Sequence, residues 1–344
     1  MKTPAPFRPI GGFFELHEAD GASEGASVLD AWAGSGDYVT FVNARSAFAG
    51  LARQLPTASI WLPAFSCVDL LDGLDMARVR FYPLLDGFQP DLNVLDSLAE
   101  AGDLMLVNAY FGQGAAAETR AFATSRPDLW TIEDCAQALD PGTMWSHWRL
   151  YSPRKLFGVA DGGILVARNR GGLLPAPERA PDATSLWVAP LLRHQDPDGL
   201  NNAAWHAANQ EKERRMTASP EAISQRSLDL LSRTSLQSLR EPRLQNWQFL
   251  DRSLRAWSAL PCPITSPPLG YVIRVPSGRR KSLLRKLHAE RIFAAVHWAE
   301  IAGPACDFPL ERQWSCELVT LPCDHRYREA EMDRIANRVA SLLE

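Results

Sequence analysis

Short apolar runs alternate with helix-like amphipathic stretches through the first half of the chain. The apolar runs predict strands, and the stretches between them predict helices. The run at 103–110 is apolar almost throughout, which is typical of a strand that is buried on both faces. The predicted strands lie at 38–42, 58–63, 79–83, 103–110, 129–132, 148–152 and 163–168, and the predicted helices at 46–55, 68–76, 93–101 and 118–125.

Strands and helices that alternate at this pitch predict an α/β fold, with a mostly parallel sheet between two helical layers. In such sheets ligands bind outside the carboxyl ends of the strands. Several polar side chains fall at those ends and are therefore candidates for a site. They are Asn43, Ser66, Tyr110, Asp134 and Ser152. The pattern alone does not give the order of the strands.

The second half of the chain has a different pattern. The segment 171–198 is rich in Gly, Pro and Ala and predicts a surface excursion, whereas 201–239 is polar and helical. Four prolines within 260–268 indicate a linker. The pattern therefore predicts a large domain over 1–240 and a smaller α+β domain over 241–344. The smaller domain would hold strands at 270–275, 292–298 and 316–322 and helices at 281–291 and 327–343.

Composition excludes several classes of protein. The 344 residues carry a net charge of −4 and no long basic run, so neither nucleic acid nor an anionic membrane is an expected partner. No stretch approaches the roughly 20 apolar residues of a membrane span. Prolines stand where a secretory signal would have an apolar run, so we expect a cytoplasmic protein. The six cysteines are scattered, which predicts reduced thiols and no metal site.

Three short motifs carry the candidate chemistry, and they follow one another along the chain at 132–137, 151–157 and 161–163. The first ends a predicted strand with Asp134, the second contains Lys155, and the third is a Gly-Gly turn. A lysine amine on a turn can bind pyridoxal 5′-phosphate (PLP) covalently. A carboxylate beside the pyridine nitrogen keeps that nitrogen protonated. The motifs therefore predict that Lys155 and Asp134 are catalytic residues of a PLP enzyme.

The same motifs resemble those of the DegT/DnrJ/EryC1/StrS sugar aminotransferases. That family has a strand that ends in "EDAAQ", then a turn before its lysine, then "GDGG"; residues 133–137, 155 and 160–163 correspond. The resemblance implies the fold-type-I PLP-dependent transferase architecture, a three-layer α/β/α large domain and a smaller α+β C-terminal domain. It also implies that Asp134 pairs with the pyridine nitrogen and that Gln137 lies near the ring hydroxyl.

The likeness continues on both sides of these motifs. Residues 43–48 resemble "SGTAAL", which opens the phosphate-binding helix of the family, so Ala44, Arg45 and Ser46 are implied to bind phosphate. Residues 62–68 resemble "VPSFTFVA", residues 108–113 resemble "VHLYGQ" and include Tyr110, and residues near His297 and His325 resemble "HYP" and "LP.HP". Tyr110 is accordingly a candidate for the cofactor site.

The chain also departs from the family pattern. Cys67 stands where the family stacks an aromatic ring on the cofactor, and Phe65 is the alternative ring. The turn before the lysine usually reads "SFHPTK", whereas residues 150–155 place the candidate phosphate-binding hydroxyl at Ser152. The "GYNYRMS" motif of the middle region has only a partial counterpart at 213–217.

The resemblance implies an aminotransferase that passes an amino group from glutamate to a nucleotide-linked keto-sugar, and it implies a homodimer. Related sugar dehydratases replace the lysine with histidine, so Lys155 argues against that activity. A regulatory or catalytically altered PLP-binding protein remains the alternative, because a fold does not fix a function.

Overall fold

The computed structural model of the chain describes residues 8–18, 25–264 and 266–344. The strands in these ranges are β1 (Ile10–Gly11), β2 (Asp37–Phe41), β3 (Ile60–Pro63), β4 (Val79–Tyr82), β5 (Leu84–Leu85), β6 (Gln89–Pro90), β7 (Leu104–Asn108), β8 (Trp130–Asp134), β9 (Trp148–Tyr151), β10 (Gly163–Ala167), β11 (Tyr271–Arg274), β12 (Ile292–Phe293) and β13 (Leu318–Leu321). The helices are α1 (Val28–Ala33), α2 (Ala44–Gln54), α3 (Leu92–Leu98), α4 (Ala117–Ser125), α5 (Ala183–His194), α6 (Asn202–Arg215), α7 (Gln225–Arg233), α8 (Leu236–Leu254), α9 (Arg280–Ala289), α10 (Pro309–Glu317) and α11 (Glu329–Leu343).

The central sheet has seven strands in the order β2-β10-β9-β8-β7-β3-β4. The strands β9, β8, β7, β3 and β4 are parallel, while β10 runs antiparallel to both of its neighbours. Consequently the carboxyl ends of all the parallel strands and the start of β10 meet at one edge of the sheet. This edge, which we call the C-edge, is where a ligand site is expected.

Helices cover both faces of this sheet. Along β10, Leu165 and Ala167 pack on the side of α2, whereas Ile164 and Val166 pack on the side of α1 and α7. This alternation follows from the two-residue period of a strand. The sheet is therefore the middle of three layers, and the predicted α/β fold class is confirmed.

The C-terminal unit has its own core. Helices α8, α9 and α11 pack around the antiparallel pair β11–β13. Strand β1 joins this unit from the other end of the chain, because Ile10 pairs with Ile292 and lies in the same core. Helix α8 contributes to both cores, through Leu239 in the large unit and Trp247 in the C-terminal unit. The predicted boundary at 240/241 thus falls inside a continuous helix.

Some predicted elements are corrected by the structure. The helix predicted over 68–76 is only a 3-10 turn at Val68–Leu71, since Gly73 then takes a left-handed φ of 81°. The strand predicted over 292–298 ends at Phe293, because the next residues find only one isolated bridge, between Ala295 and Thr320.

Two further corrections come from tertiary packing. The surface excursion predicted over 171–198 contains α5, which packs against α6 and buries Trp187. The strand predicted over 316–322 begins only at Leu318, and the residues before it form α10. At both places the prediction relied on local Gly, Pro and β-branched content. The helices are instead stabilised by tertiary contacts, of α5 with α6 and of α10 through the buried Trp314.

No helix in the described part of the chain is long and apolar enough to cross a membrane. Within the same residues, no group of His, Cys, Asp and Glu side chains is arranged to hold a metal ion.

Candidate active site

A cavity opens at the C-edge, where the fold places a ligand site. We call it the central cavity, and it lies between the start of α2, the end of β8 and the turn after β9. Seven of the nine predicted site residues line it: Ala44, Arg45, Cys67, Asp134, Gln137, Ser152 and Lys155. Residues from four separate stretches of sequence are therefore brought together by the sheet.

Asp134 ends β8 at the floor of this cavity. Because side chains alternate along a strand, the preceding Glu133 faces away and forms a buried ion pair with Arg149, 2.7 Å between Glu133 Oε2 and Arg149 Nε. The Oδ1 atom of Asp134 accepts a hydrogen bond of 2.8 Å from the Ala136 amide. Burial raises the pKa of Asp134, and the ammonium of Lys155 opposes that rise. A further positive charge in the cavity would stabilise this carboxylate.

Lys155 ends a 3-10 turn, Pro153–Lys155, that follows β9. The Lys155 amide donates to the Ser152 carbonyl at 3.1 Å, which closes the turn. The side-chain ammonium makes no hydrogen bond or ion pair with the residues that the structure describes. Its positive charge acts on Asp134, Cys67 and His297. The amine is therefore near the carboxylate and is not held by another side chain.

The Gly162-Gly163 pair joins the lysine turn to the start of α2. Gly162 has φ 129°, and a Cβ atom there would lie 2.5 Å from Pro153 Cγ, inside the lysine turn. A Cβ atom on Gly163 would lie 2.2 Å from the carbonyl carbon of Asn43. The two glycines thus permit a backbone contact that any side chain would prevent.

The start of α2 faces the central cavity. Asn43 caps the helix, since its Oδ1 accepts from the Ser46 amide at 2.9 Å. The first amides of a helix lack partners within the helix and attract anions. Arg45 adds a positive charge at this point, and its guanidinium is held by the Met216 carbonyl at 2.7 Å and by Asp69 at 2.9 Å.

Ser46 and Tyr110 are the two predicted residues that do not line the central cavity. The Ser46 hydroxyl donates to Asn43 Oδ1 at 3.0 Å and accepts from the Ser219 amide at 2.9 Å, so it holds the α2 start in place. Tyr110 is buried, and its hydroxyl donates to the Phe65 carbonyl at 2.6 Å. Both side chains therefore make hydrogen bonds within the protein and lie outside the lining of the central cavity.

Two amide side chains on the cavity wall carry unused polar atoms. Gln137 Oε1 accepts from the Phe111 amide at 2.7 Å, but its buried Nε2 has no partner. Asn108 Nδ2 donates to Ser66 Oγ at 3.0 Å, but its buried Oδ1 has no partner. Buried polar groups are normally satisfied, and neither atom has a partner among the described residues, so each is able to bind a polar group in the cavity.

The aromatic residues near the cavity lie mainly in the core. Phe65 is fully buried and packs within 5.8 Å, centroid to centroid, of Tyr110 and Trp298. Phe65 does not line the central cavity and so does not replace the aromatic ring expected at Cys67. Trp298 is the aromatic side chain that does line it. Burial raises the pKa of the Cys67 thiol, so this residue stays neutral.

A second cavity lies on the other side of Lys155. We define it by Phe13, Glu213, Phe293, His297 and Arg326, and it shares Arg154 and Lys155 with the central cavity. Burial and the Lys155 cation lower the pKa of His297 to about 4, so its ring is neutral. His297 Nδ1 lies 3.0 Å from Thr320 Oγ1.

Several residues of this region were missed by the sequence analysis as members of the site. Asn108 carried a usable signal, because it is the last residue of a strand at the C-edge. Arg154 also carried a signal, because it directly precedes Lys155 in the motif at 151–157. The positions of Glu213 and Trp298 depend on contacts between distant segments. His325 faces neither cavity; its ring stacks on Phe14 and lies 3.0 Å from Arg243 Nη1.

Neither a known family model nor a curated protein matches this sequence. Solved structures do match. The apo form of a protein from Streptococcus pneumoniae, described as "putative sugar aminotransferase Spr1654", superposes with a TM-score of 0.67 at 13% identity. The match covers 98% of this chain and 97% of that protein. That protein was also solved in PLP and PMP forms.

Two further neighbours share the architecture. A DegT/DnrJ/EryC1/StrS aminotransferase from Brucella abortus has a TM-score of 0.62 and 16% identity, over 92% of this chain and 88% of its own. DesI, solved in the presence of its TDP-sugar product, has a TM-score of 0.62 and 12% identity, over 91% and 82% of the two chains. The chain therefore has the fold of these PLP-dependent aminotransferases, as the sequence motifs predicted.

Proposed function

We propose that this chain is a PLP-dependent aminotransferase that binds its cofactor covalently through Lys155. The observation that carries the proposal is that Lys155 and Asp134 line one cavity at the C-edge. Asp134 ends β8, and Lys155 lies in the turn after β9. The lysine amine is suited to the aldehyde of the cofactor, and the carboxylate is suited to its ring nitrogen. The motif resemblance and the fold of the structural neighbours support the same assignment.

The residues of the central cavity fit PLP in three respects. The start of α2, Arg45 and the free hydroxyl of Ser152 offer donors to a phosphate. The carboxylate of Asp134 is buried and gains stability from a protonated ring nitrogen. The unpartnered Nε2 of Gln137 offers a donor to the ring hydroxyl. Without such a ligand, Gln137 Nε2 has no partner among the described residues and the buried carboxylate of Asp134 is electrostatically unfavourable.

Each residue then has a definite task. When bound, PLP supplies an aldehyde that takes up the amino group and a ring that withdraws electrons. Lys155 Nζ, on the wall between the two cavities, would move a proton from the α-carbon of the amino donor to the carbon that carried the aldehyde of the cofactor. Asp134 keeps a negative charge at the end of the site away from Lys155, where it would stabilise the protonated ring nitrogen. His297, neutral because of its lowered pKa, adds no competing positive charge near Lys155.

The proposed substrates are glutamate as amino donor and a nucleotide-linked keto-sugar as acceptor. The motif resemblance supports both, and the neighbours described as sugar aminotransferases support the acceptor. The second cavity supplies room for a substrate against Lys155, with aromatic side chains at Phe13 and Phe293. We further propose that the protein is cytoplasmic and forms a homodimer; sedimentation of the purified protein tests the dimer.

A PLP-binding protein without transaminase activity is the second candidate. It is favoured by one observation: no aromatic ring occupies the position of Cys67, and Phe65 is turned into the core. A weakly covered cofactor would be bound less tightly and oriented less firmly.

Spectroscopy separates these candidates. Purified protein with PLP should show a visible absorption band, and borohydride reduction should fix the cofactor on residue 155, as located by peptide mass spectrometry. The Lys155→Ala variant should lack the band. Addition of glutamate should convert the band of the native protein to that of the pyridoxamine form. A band that no amino donor alters would favour the non-catalytic protein, and absence of any band would refute both.

A panel of nucleotide-linked keto-sugars, supplied to the pyridoxamine form, then identifies the acceptor. Return of the visible band marks a substrate. Simple keto acids serve as the comparison, and a preference for them over every keto-sugar would refute the proposed acceptor class.

A further inference from the structure

Arg154 occupies a special position because it precedes Lys155 and lines both cavities. Its side chain is only 15% exposed. A buried positive charge beside the reacting lysine needs a negative partner, which is either a side chain of the protein or a bound ligand.

The guanidinium of Arg154 is only partly satisfied. Its Nη1 donates to Glu213 Oε1 at 2.7 Å, while its buried Nε has no partner in the part of the chain that the structure describes. An arginine presents a planar fork of donors that suits two oxygens of one anion. Glu213 engages one arm of that fork, and the other donor remains available.

Glu213 is shared between two cations. Lys212 Nζ lies 3.9 Å from the same Oε1 atom that Arg154 contacts. Burial alone would raise the pKa of Glu213, but these two cations lower it overall, so the carboxylate is ionised. Burial and Arg154 lower the pKa of Lys212 to about 8, which leaves this lysine mostly protonated at neutral pH. The Asp161 carboxylate also acts on Lys212, so the two cations face two carboxylates. The donor that remains for an added anion is Arg154 Nε.

We propose that Arg154 binds the α-carboxylate of the amino donor, in place of or together with Glu213, and so determines donor specificity. This inference rests on the proposed aminotransferase function. The α-carboxylate is separated from the donor nitrogen by a single carbon, so it must lie close to the amine of Lys155. The diphosphate of a nucleotide-sugar is many bonds from its reacting carbonyl and does not meet that requirement.

Binding of glutarate tests the proposal without turnover. Glutarate carries the two carboxylates of glutamate and no amine, and calorimetry on the PLP-loaded protein gives its Kd. The Arg154→Gln variant should weaken glutarate about 10- to 100-fold, the usual effect of losing a hydrogen bond to a charged group. Arg154→Lys should recover part of the lost affinity for glutarate, because lysine keeps the positive charge but lacks the planar pair of donors.

Glu213→Gln is the matched control, because it removes the competing carboxylate. It should leave glutarate binding unchanged or make it tighter. If Arg154→Gln changes the Kd less than twofold, the proposal is overturned. It is also overturned if Glu213→Gln weakens binding as much as Arg154→Gln, because Arg154 would then be a structural tie between the lysine turn and α6.

Substrate discrimination gives a second measurement. Isoglutamine is glutamate with its α-carboxylate converted to an amide, so native protein should prefer glutamate in kcat/KM for the first half-reaction. In Arg154→Gln this preference should largely disappear, with the visible band retained. An unchanged preference would refute the role of Arg154 while leaving the aminotransferase proposal intact. Absence of the band from native protein would instead refute the aminotransferase itself.

Discussion

Gly163, the first residue of β10, lies directly against the backbone of Asn43, the residue that caps α2. The Gly162 amide donates to the Val42 carbonyl at 2.7 Å and fixes the same contact from the next residue. The start of the proposed phosphate-binding helix is therefore positioned by the strand that follows the lysine turn. Cofactor binding and local folding depend on the same two glycines.

Gly163→Ala should weaken both cofactor binding and folding. The new Cβ atom would meet the Asn43 carbonyl at 2.2 Å, and backbone on both sides must then move. We expect a loss of about 1–3 kcal/mol in the free energy of unfolding and a weaker Kd for PLP. Urea unfolding and a PLP titration measure the two effects. Gly278→Asn is the control, since Gly278 has a left-handed φ but open space around it. Native-like PLP affinity in Gly163→Ala would show that the contact does not support the site.

Asp134→Asn should separate chemistry from folding. Asparagine keeps the shape and can still accept the Ala136 hydrogen bond, but it removes the negative charge. We expect turnover to fall by about 100-fold or more, in the range seen when a preorganised electrostatic contact is deleted. The melting temperature should change little.

Glu133→Gln is the comparison for Asp134→Asn because it removes a charge from the adjacent residue on the opposite face of β8. It breaks the buried pair with Arg149, so stability should fall while turnover per folded molecule stays within a few-fold. Turnover in Asp134→Asn that equals the native rate would contradict the assigned role.

His297 should make the protein sensitive to acid. Its pKa is about 4 in the folded state against 6.5 as the unperturbed value, so the unfolded chain binds a proton first as the pH falls. The stability that this residue contributes is therefore fully present above about pH 6.5 and is lost progressively toward pH 4. Near pH 5 the loss should amount to roughly 2 kcal/mol.

Urea unfolding at pH 7.5 and pH 5 measures this effect. His297→Gln should lose about 2 kcal/mol less than the native protein between these two pH values. His288→Gln, on the exposed side of α9, is the control substitution. An equal acid loss in native protein and His297→Gln would show that protonation of His297 does not limit stability.

The amino-acid sequence was enough to predict the α/β class and the pairing of Lys155 with Asp134 in one site. Both follow from local information. Buried strands are marked by continuous apolar runs, and in parallel strands the polar residue that ends each run falls at the same edge. The glycine pair was also visible, because a Gly-Gly step permits backbone that other residues avoid.

Tertiary structure alone decided the rest. The reversed direction of β10, the single helix α8 that serves two cores, and the pairing of β1 with β12 all depend on contacts between distant segments. The same is true of the contact between Arg154 and Glu213, 59 residues apart. Local pattern fixes which residues form a strand or helix, but the free energy of burial selects which distant elements meet, and no local signal records that choice.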